Sequence, residues 1–233
     1  MPPLVQSLIR FYQSSIGKKI LVALTGLAMI GFLIGHLLGN LLLFAGPEAI
    51  NGYAKKLHDL GPALYLIRGG LLAIVVLHIV GTVQLVRLNR AARPQKYAVD
   101  TVRQASKASR IMIWSGLTIL AFVVYHLAHF TWALGNSYRD PSIARYWASP
   151  GVHNVYNMVV DGFNVWWVSA FYIIALLLLS SHLSHGFASV FQTLGLATTR
   201  TRRPIQVLGM VFAWGWFFGN ISIPLAVLFG LVS

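Results

Sequence analysis

Residues 19–44 read KILVALTGLAMIGFLIGHLLGNLLLF. After Lys19, only Thr25, His36 and Asn40 interrupt a run of apolar residues and glycines. The run exceeds the roughly 20 residues that carry a helix across about 30 Å of hydrocarbon. It is therefore predicted to be a transmembrane helix, and it holds an imidazole far from its start. Four further runs of this kind are predicted over 64–88, 109–134, 163–191 and 205–231. The chain reads as an all-α integral membrane protein, a bundle of five transmembrane helices forming one domain over 1–233.

Composition points the same way. The 233 residues are 57% hydrophobic and 10% charged, with a mean hydropathy of +0.69. A water-soluble domain carries about 25% charged residues, so that class is excluded. The absence of cysteine excludes disulfides and thiolate ligation by this chain. A net charge of +13 raises the question of nucleic acid, but the basic residues cluster at the ends of the apolar runs, which argues against such a partner. Residues 1–18 alternate apolar side chains (Leu4, Val5, Leu8, Ile9, Phe11, Tyr12) with polar ones and are expected as a short helix on the membrane surface. Lys18 and Lys19 lead into the first span without a small-residue cleavage pattern, so no separate cleavable signal is expected.

Charge also sets an expected orientation. Of the 18 Lys and Arg, thirteen (Arg10, Lys18, Lys19, Arg87, Arg90, Arg93, Lys96, Arg103, Lys107, Arg110, Arg200, Arg202, Arg203) fall on one side of the five spans and five (Lys55, Lys56, Arg68, Arg139, Arg145) on the other. Positive residues favour the cytoplasm, which places the N-terminus there and the C-terminus outside. Glu48, Asp59, Asp140 and Asp161 lie on the outer side, as do Trp132, Trp147, Trp166 and Trp167, near the interface that aromatic rings favour. The connection over 135–162 is long for a connector. Its Trp147, Val152, Tyr156, Met158 and Val159 are expected along the outer surface.

Each of the first four spans contains a deeply placed histidine: His36, His78, His126 and His182. An ionisable residue inside a membrane is a functional candidate by default. At 1.5 Å per residue, His36 and His126 each lie about 25 Å from the inner edge, whereas His78 and His182 lie about 15 Å from it. The four therefore fall into two pairs at two depths. Imidazole is an axial ligand of haem iron, so two non-covalently held b-type haems, each with two histidines, are expected. Such a haem has no open position and transfers electrons. Gly26 precedes His36, and Gly116 precedes His126, by the same ten residues. About 15 Å of helix puts both glycines near the inner pair, where a porphyrin can pack closely against them. The alternative for each histidine is a buried hydrogen-bonding side chain, and for each glycine ordinary small-residue packing. His129 and His185, three residues beyond His126 and His182, share nearly the same faces and compete for the ligand assignment. Helix 5 lacks histidine; Asn220 and Pro224 are expected to bend it or to satisfy a freed carbonyl.

Three segments together carry a family resemblance: Thr25-Gly26 through Gly35-His36, Ser115-Gly116 through Tyr125-His126, and His182-Leu-Ser-His-Gly186. In this order, over nearly the whole chain, they resemble the five-helix dihaem cytochrome b anchor of succinate:quinone oxidoreductases and quinol:fumarate reductases. The resemblance implies His36 and His126 on an outer haem and His78 and His182 on an inner one. It favours His126 over His129 by the glycine interval, and His182 over His185 by the His-x-x-x-Gly pattern. It implies a flavoprotein and an iron–sulfur subunit bound on the cytoplasmic side of a bacterial or archaeal-type cytoplasmic membrane, and a quinone, commonly menaquinone, as substrate. Succinate oxidation would occur in the flavoprotein, and this chain would have no succinate-oxidising site. The segment around His58 also resembles relatives, some of which carry a proton-handling glutamate there. A histidine exchanges protons near neutral pH, so His58 is a candidate for quinone protonation, with Glu48 and Asp59 as further candidates. Rival readings are the cytochrome b anchor of a hydrogenase or formate dehydrogenase, and a haem-free transporter using its histidines as a proton relay.

Overall fold

The computed structural model describes residues 2–92, 107–149 and 152–233. Arg93, Lys96 and Arg103, counted above among the cytoplasmic charges, lie outside the described residues. The helices are α1 (Pro3–Gln13), α2 (Ser15–Leu41), α3 (Pro47–His58), α4 (Pro62–Ala91), α5 (Lys107–Arg110), α6 (Met112–His126), α7 (Val155–Asn164), α8 (Trp166–Thr193) and α9 (Arg202–Leu228). Among the described residues five helices, α2, α4, α6, α8 and α9 with their short extensions, are long and apolar enough to cross a membrane. The chain is a multi-pass helical membrane protein.

Contacts fix how the spans run. Gly81 of α4 lies against Leu21 and Val22 of α2, while His78 lies against Gly26; as one number rises the other falls, so α2 and α4 are antiparallel. Gly209 of α9 approaches Phe187 and the Ser184 carbonyl of α8, and the buried Ser180 hydroxyl donates to the Ala213 carbonyl at 2.8 Å, so α8 and α9 are antiparallel too. Trp216 donates its indole N–H to the Leu33 carbonyl at 3.2 Å, and Gly219 lies against Leu37, which makes α9 parallel to α2. The end of the bundle bearing α1 is called here the N-terminal face, and the opposite end the distal face.

Helix α8 is the central element. It packs on α9, α6 and α2, and it supplies Val168, Tyr172 and Ala175 to one buried apolar cluster and Leu176 and Leu183 to another. Small residues spaced four apart on α9, Gly209 and Ala213, let its backbone approach α8 closely; Ala213 is 0% exposed. Asn220 Nδ2 donates to the Trp216 carbonyl at 2.8 Å, one turn before the carbonyl that Pro224 deprives of its N–H partner.

Several boundaries differ from the sequence expectation. The first span begins at Ser15, because the Ser14 side chain accepts from the Gly17 N–H at 2.9 Å and caps the helix. Lys18 is buried, and its ammonium donates to the Tyr12 and Gln13 carbonyls at 3.0 and 2.8 Å, closing the end of α1. A Cβ on Gly17 would sit 2.0 Å from the Phe11 carbonyl oxygen, so the corner between α1 and α2 requires glycine. Helix α1 buries no residue, and Tyr12 O–H ties it to Gln84 of α4 at 3.0 Å. The third span breaks at Ile111 and ends in a π-helical turn over Leu127–Thr131.

The expected fourth span divides at Val165, whose backbone is extended; the buried Ser169 hydroxyl holds the break by donating to the Phe163 carbonyl at 2.6 Å. Helix α7 therefore stands alone. Its Met158, Val160 and Phe163 are buried, so this part of the 135–162 connection belongs to the core instead of lying on the outer surface. The physical reason is its own period: Val155, Met158, Val159, Gly162 and Phe163 follow helical spacing, and that face needs a partner.

Replacing Ala213 by leucine should overpack the α8–α9 contact and destabilise the fold by about 1–3 kcal/mol. Leucine at exposed Val211 should leave the thermal midpoint in detergent unchanged.

Candidate functional site

The four histidine-bearing spans are arranged so that α4 packs on α2, α2 on α8, and α8 on α6. Among the described residues, neither α2 with α6 nor α4 with α8 packs extensively. Those two pairs lie across the diagonals of the arrangement, and side chains bridge them.

On the first diagonal, the His36 and His126 rings face each other with centres 5.8 Å apart and planes at 85°. His36 stacks on Phe32 one turn before it, centres 5.3 Å apart. His126 is surrounded by Phe122, Phe130 and Tyr172, each about one ring contact away at 6.0 Å. On the second diagonal, His78 and His182 lie within electrostatic range of each other. The Cβ position of Gly26 is 3.4 Å from His78 Cε1, and that of Gly116 is 3.7 Å from His182 Cε1. A methyl at either glycine would touch an imidazole. Because Gly26 and Gly116 each precede a first-diagonal histidine by ten residues, the two levels are separated by about 15 Å along the bundle.

Each imidazole of the second diagonal is met by a hydroxyl. Thr25 Oγ1 lies 3.1 Å from His78 Nδ1, and Ser115 Oγ lies 3.1 Å from His182 Nδ1. These hydroxyls directly precede the two glycines. The sequence shows them as a repeated hydroxyl-glycine pair, but their part in the site becomes visible only when α4 and α8 are placed beside them.

His129 and His185 occupy different settings. His129 Nδ1 lies 3.2 Å from the Tyr172 hydroxyl and its Nε2 lies 3.5 Å from the Tyr138 hydroxyl, so both nitrogens face protein partners. The π turn that carries His129 also presents Phe130 to Gly162 of α7, where a Cβ would come within 2.8 Å of the Phe130 ring. His185 Nε2 is 3.2 Å from the Ser189 hydroxyl in its own helix. Tyr172 is shared, because its hydroxyl also lies 3.4 Å from His126 Nδ1. Tyr138 and Tyr172 were not singled out by sequence, since a tyrosine in or near a span reads as an interface anchor. Burial pushes the Tyr138 phenol up to about 12, so it keeps its proton beside His129.

The remaining candidates stay apart from both diagonals. His58 ends α3 with its side chain exposed, and its backbone carbonyl accepts from the Gly61 N–H at 3.0 Å. Glu48 is exposed in the first turn of α3, and Asp59 pairs with Lys55 at 2.6 Å on the surface. The distal face is held together by other polar contacts. Asn51 Nδ2 donates to Asn154 Oδ1 at 3.0 Å and joins α3 to the cap of α7. Two short strands, β1 (Trp147–Ser149) and β2 (Val152–His153), pair antiparallel beside it. Arg145 grips Asp161 of α7 with two hydrogen bonds of 2.8 and 2.6 Å.

The residues present suit a group held by two imidazoles. Two rings on one metal, with bonds of about 2 Å, have centres roughly 6 Å apart, close to the His36–His126 spacing. Glycine at both second-diagonal contacts lets each imidazole lie close against the backbone of the neighbouring span. With Nδ1 engaged by a hydroxyl, the Nε2 lone pairs are the ones placed to bind a metal, which matches the outer-shell pattern of ligating histidines. No protein-family model, curated protein or solved structure matches this chain.

The Arg145 guanidinium, hydrogen-bonded to Asp161, holds that carboxyl below the ordinary carboxylate range. The folded distal face therefore binds this proton less readily than the unfolded chain. The stabilisation is present above about pH 4 and is lost as pH falls through the depressed folded value. Thermal unfolding of purified protein followed from neutral to acid pH should show this loss. An Asp161→Asn variant should be less stable at neutral pH and lack that part of the acid dependence.

Proposed function

We propose that the chain is the dihaem cytochrome b subunit of a succinate:quinone oxidoreductase or quinol:fumarate reductase. It would anchor a flavoprotein and an iron–sulfur subunit and connect them to a membrane quinone. The observation that carries this reading is the facing of His36 and His126 across a diagonal of the bundle, with a second histidine pair one level away. The resemblance of the ordered histidine and glycine segments supports it.

In this reading His78 and His182 hold one haem b near the N-terminal face, and His36 and His126 hold another toward the distal face. When bound, each group supplies one-electron transfer at a saturated iron. The chain's own residues do the rest. Gly26 and Gly116 admit a flat ring beside the imidazoles. Phe32, Phe122, Phe130 and Tyr172 surround the distal pair and exclude water, which raises the strength of every electrostatic interaction there. The cations expected on the cytoplasmic side, Arg10, Lys19, Arg87, Arg90, Arg110, Arg200, Arg202 and Arg203 among them, give the soluble subunits a basic surface to dock on. His58, exposed at the distal end, is proposed to pass protons toward a quinone, with menaquinone the favoured species. The membrane is proposed to be a bacterial or archaeal cytoplasmic membrane.

Purified complex should contain about two b-type haems per chain and co-purify with a flavoprotein and an iron–sulfur protein. Alanine at His36, His78, His126 or His182 should each remove about one haem, while alanine at His129 or His185 should leave both. Unchanged haem content in all four ligand variants, or the absence of a reduced b-type band in the parent, would overturn the proposal. Hydrogenase or formate dehydrogenase subunits in place of the flavoprotein would favour the rival anchor. A haem-free protein would favour a proton-relay transporter.

A further inference from the structure

The hydroxyls of Thr25 and Ser115 are each committed twice. Thr25 Oγ1 donates to the Leu21 carbonyl at 2.7 Å, with the Val22 carbonyl at 3.1 Å, and it also lies 3.1 Å from His78 Nδ1. Ser115 Oγ donates to the Met112 carbonyl at 3.1 Å and lies 3.1 Å from His182 Nδ1. A hydroxyl has one hydrogen. Thr25 Oγ1 is nearer the Leu21 carbonyl than the imidazole, which favours donation to the carbonyl, and the Ser115 contacts permit the same arrangement. The oxygen then accepts from the imidazole, and Nδ1 carries the ring's hydrogen. A neutral imidazole has only one N–H, so Nε2 carries a bare lone pair in both rings. The distal pair is built differently. His36 stacks on Phe32 and has no side-chain hydrogen bond among the described residues, while His126 Nδ1 has Tyr172 at the long distance of 3.4 Å.

We infer that Thr25 and Ser115 are positioning residues: they select the metal-binding tautomer of His78 and His182 and set the redox potential of the haem at that level separately from the distal one. The inference rests on the dihaem reading above. An acceptor on Nδ1–H makes the imidazole a stronger donor to iron, and outer-shell hydrogen bonding is one of the means by which a protein sets haem potential. The hydroxyl is a better acceptor for being itself a donor to a carbonyl, because linked hydrogen bonds polarise one another. The two hydroxyls thus favour the ferric state at the N-terminal-face level. Nothing comparable acts on His36. Each hydroxyl stands next to the glycine that touches the same imidazole, so one dipeptide on α2 and one on α6 provide both the orientation and the space.

The test uses the purified haem-loaded complex carrying Thr25→Val, Ser115→Ala or both. The readouts are haem content, the two midpoint potentials and the low-spin ferric electron paramagnetic resonance signals. The expected result is a positive shift of one potential only. Its size should be up to about tenfold in ferric-over-ferrous preference, which is about 59 mV for a one-electron couple. One of the two resonance signals should change, and the hydroxyl-retaining variants Thr25→Ser and Ser115→Thr should restore the parent values. Selective loss of one haem from the double variant, with the same restoration, would also support the assignment. Parent haem content with both potentials and both signals unchanged would overturn it and leave the dihaem reading intact. Equal shifts of both haems, or no restoration by the hydroxyl-retaining variants, would overturn it as well. A parent complex without haem would overturn both.

Discussion

An imidazole inside an apolar bundle must have its ring nitrogens answered, because an unpaired polar group there costs several kcal/mol. The two diagonals of this protein treat that requirement differently. Two rings are met by hydroxyls on a neighbouring span, and two are turned toward each other across a diagonal. The second diagonal needs hydroxyls on α2 and α6 and a glycine beside each, since a larger residue would meet the ring. The first needs an aromatic surround contributed by α2, α6 and α8. His129, which is close in sequence to His126, is answered by two tyrosines, and this separates the roles of the two histidines.

A bundle whose diagonal helices stand apart needs rigidity from elsewhere. Helix α9, which has no histidine, supplies much of it. Its small residues seat it against α8, its Trp216 indole reaches the backbone of α2, and its Ile223 and Val227 complete the buried cluster near the distal pair. Helix α7 closes that end from the side and is fixed by the Asn51–Asn154 and Arg145–Asp161 contacts. Helices α9 and α7, neither of which carries a histidine, therefore hold the histidine-bearing spans in position. By contrast α4, which carries His78, packs extensively on α2 alone among the described residues and turns most of its surface outward.

Much of this was legible in the sequence because membrane spans follow a one-dimensional rule. Length and hydropathy locate the five spans, and a rise of 1.5 Å per residue assigns depths to His36, His78, His126 and His182. What the sequence hid depends on contacts across chain distance. The π turn after His126 and the extended Val165 break otherwise continuous apolar runs, and hydropathy does not register either. Lys18 looks like a boundary charge, yet it is buried because two carbonyls of the preceding helix receive its hydrogens. Helix α7 was readable from its own spacing, but at ten residues it is too short to register as a span. Tyr138 and Tyr172 acquire meaning only beside His129, 9 and 43 residues away in sequence.

The ten-residue interval from Gly26 to His36, repeated from Gly116 to His126, measures an angle as well as a height. At 3.6 residues per turn each residue advances by 100°, so ten residues leave the glycine and the histidine pointing about 80° apart around the helix. Each helix can thus face one neighbour at the lower storey and another at the upper: α2 addresses α4 and then α6, and α6 addresses α8 and then α2. An interval of eleven would bring both residues back to nearly one azimuth, about 20° apart, and the helix would serve a single neighbour twice. The spacing allows two crossed diagonals to be built from straight helices, without a kink between the storeys.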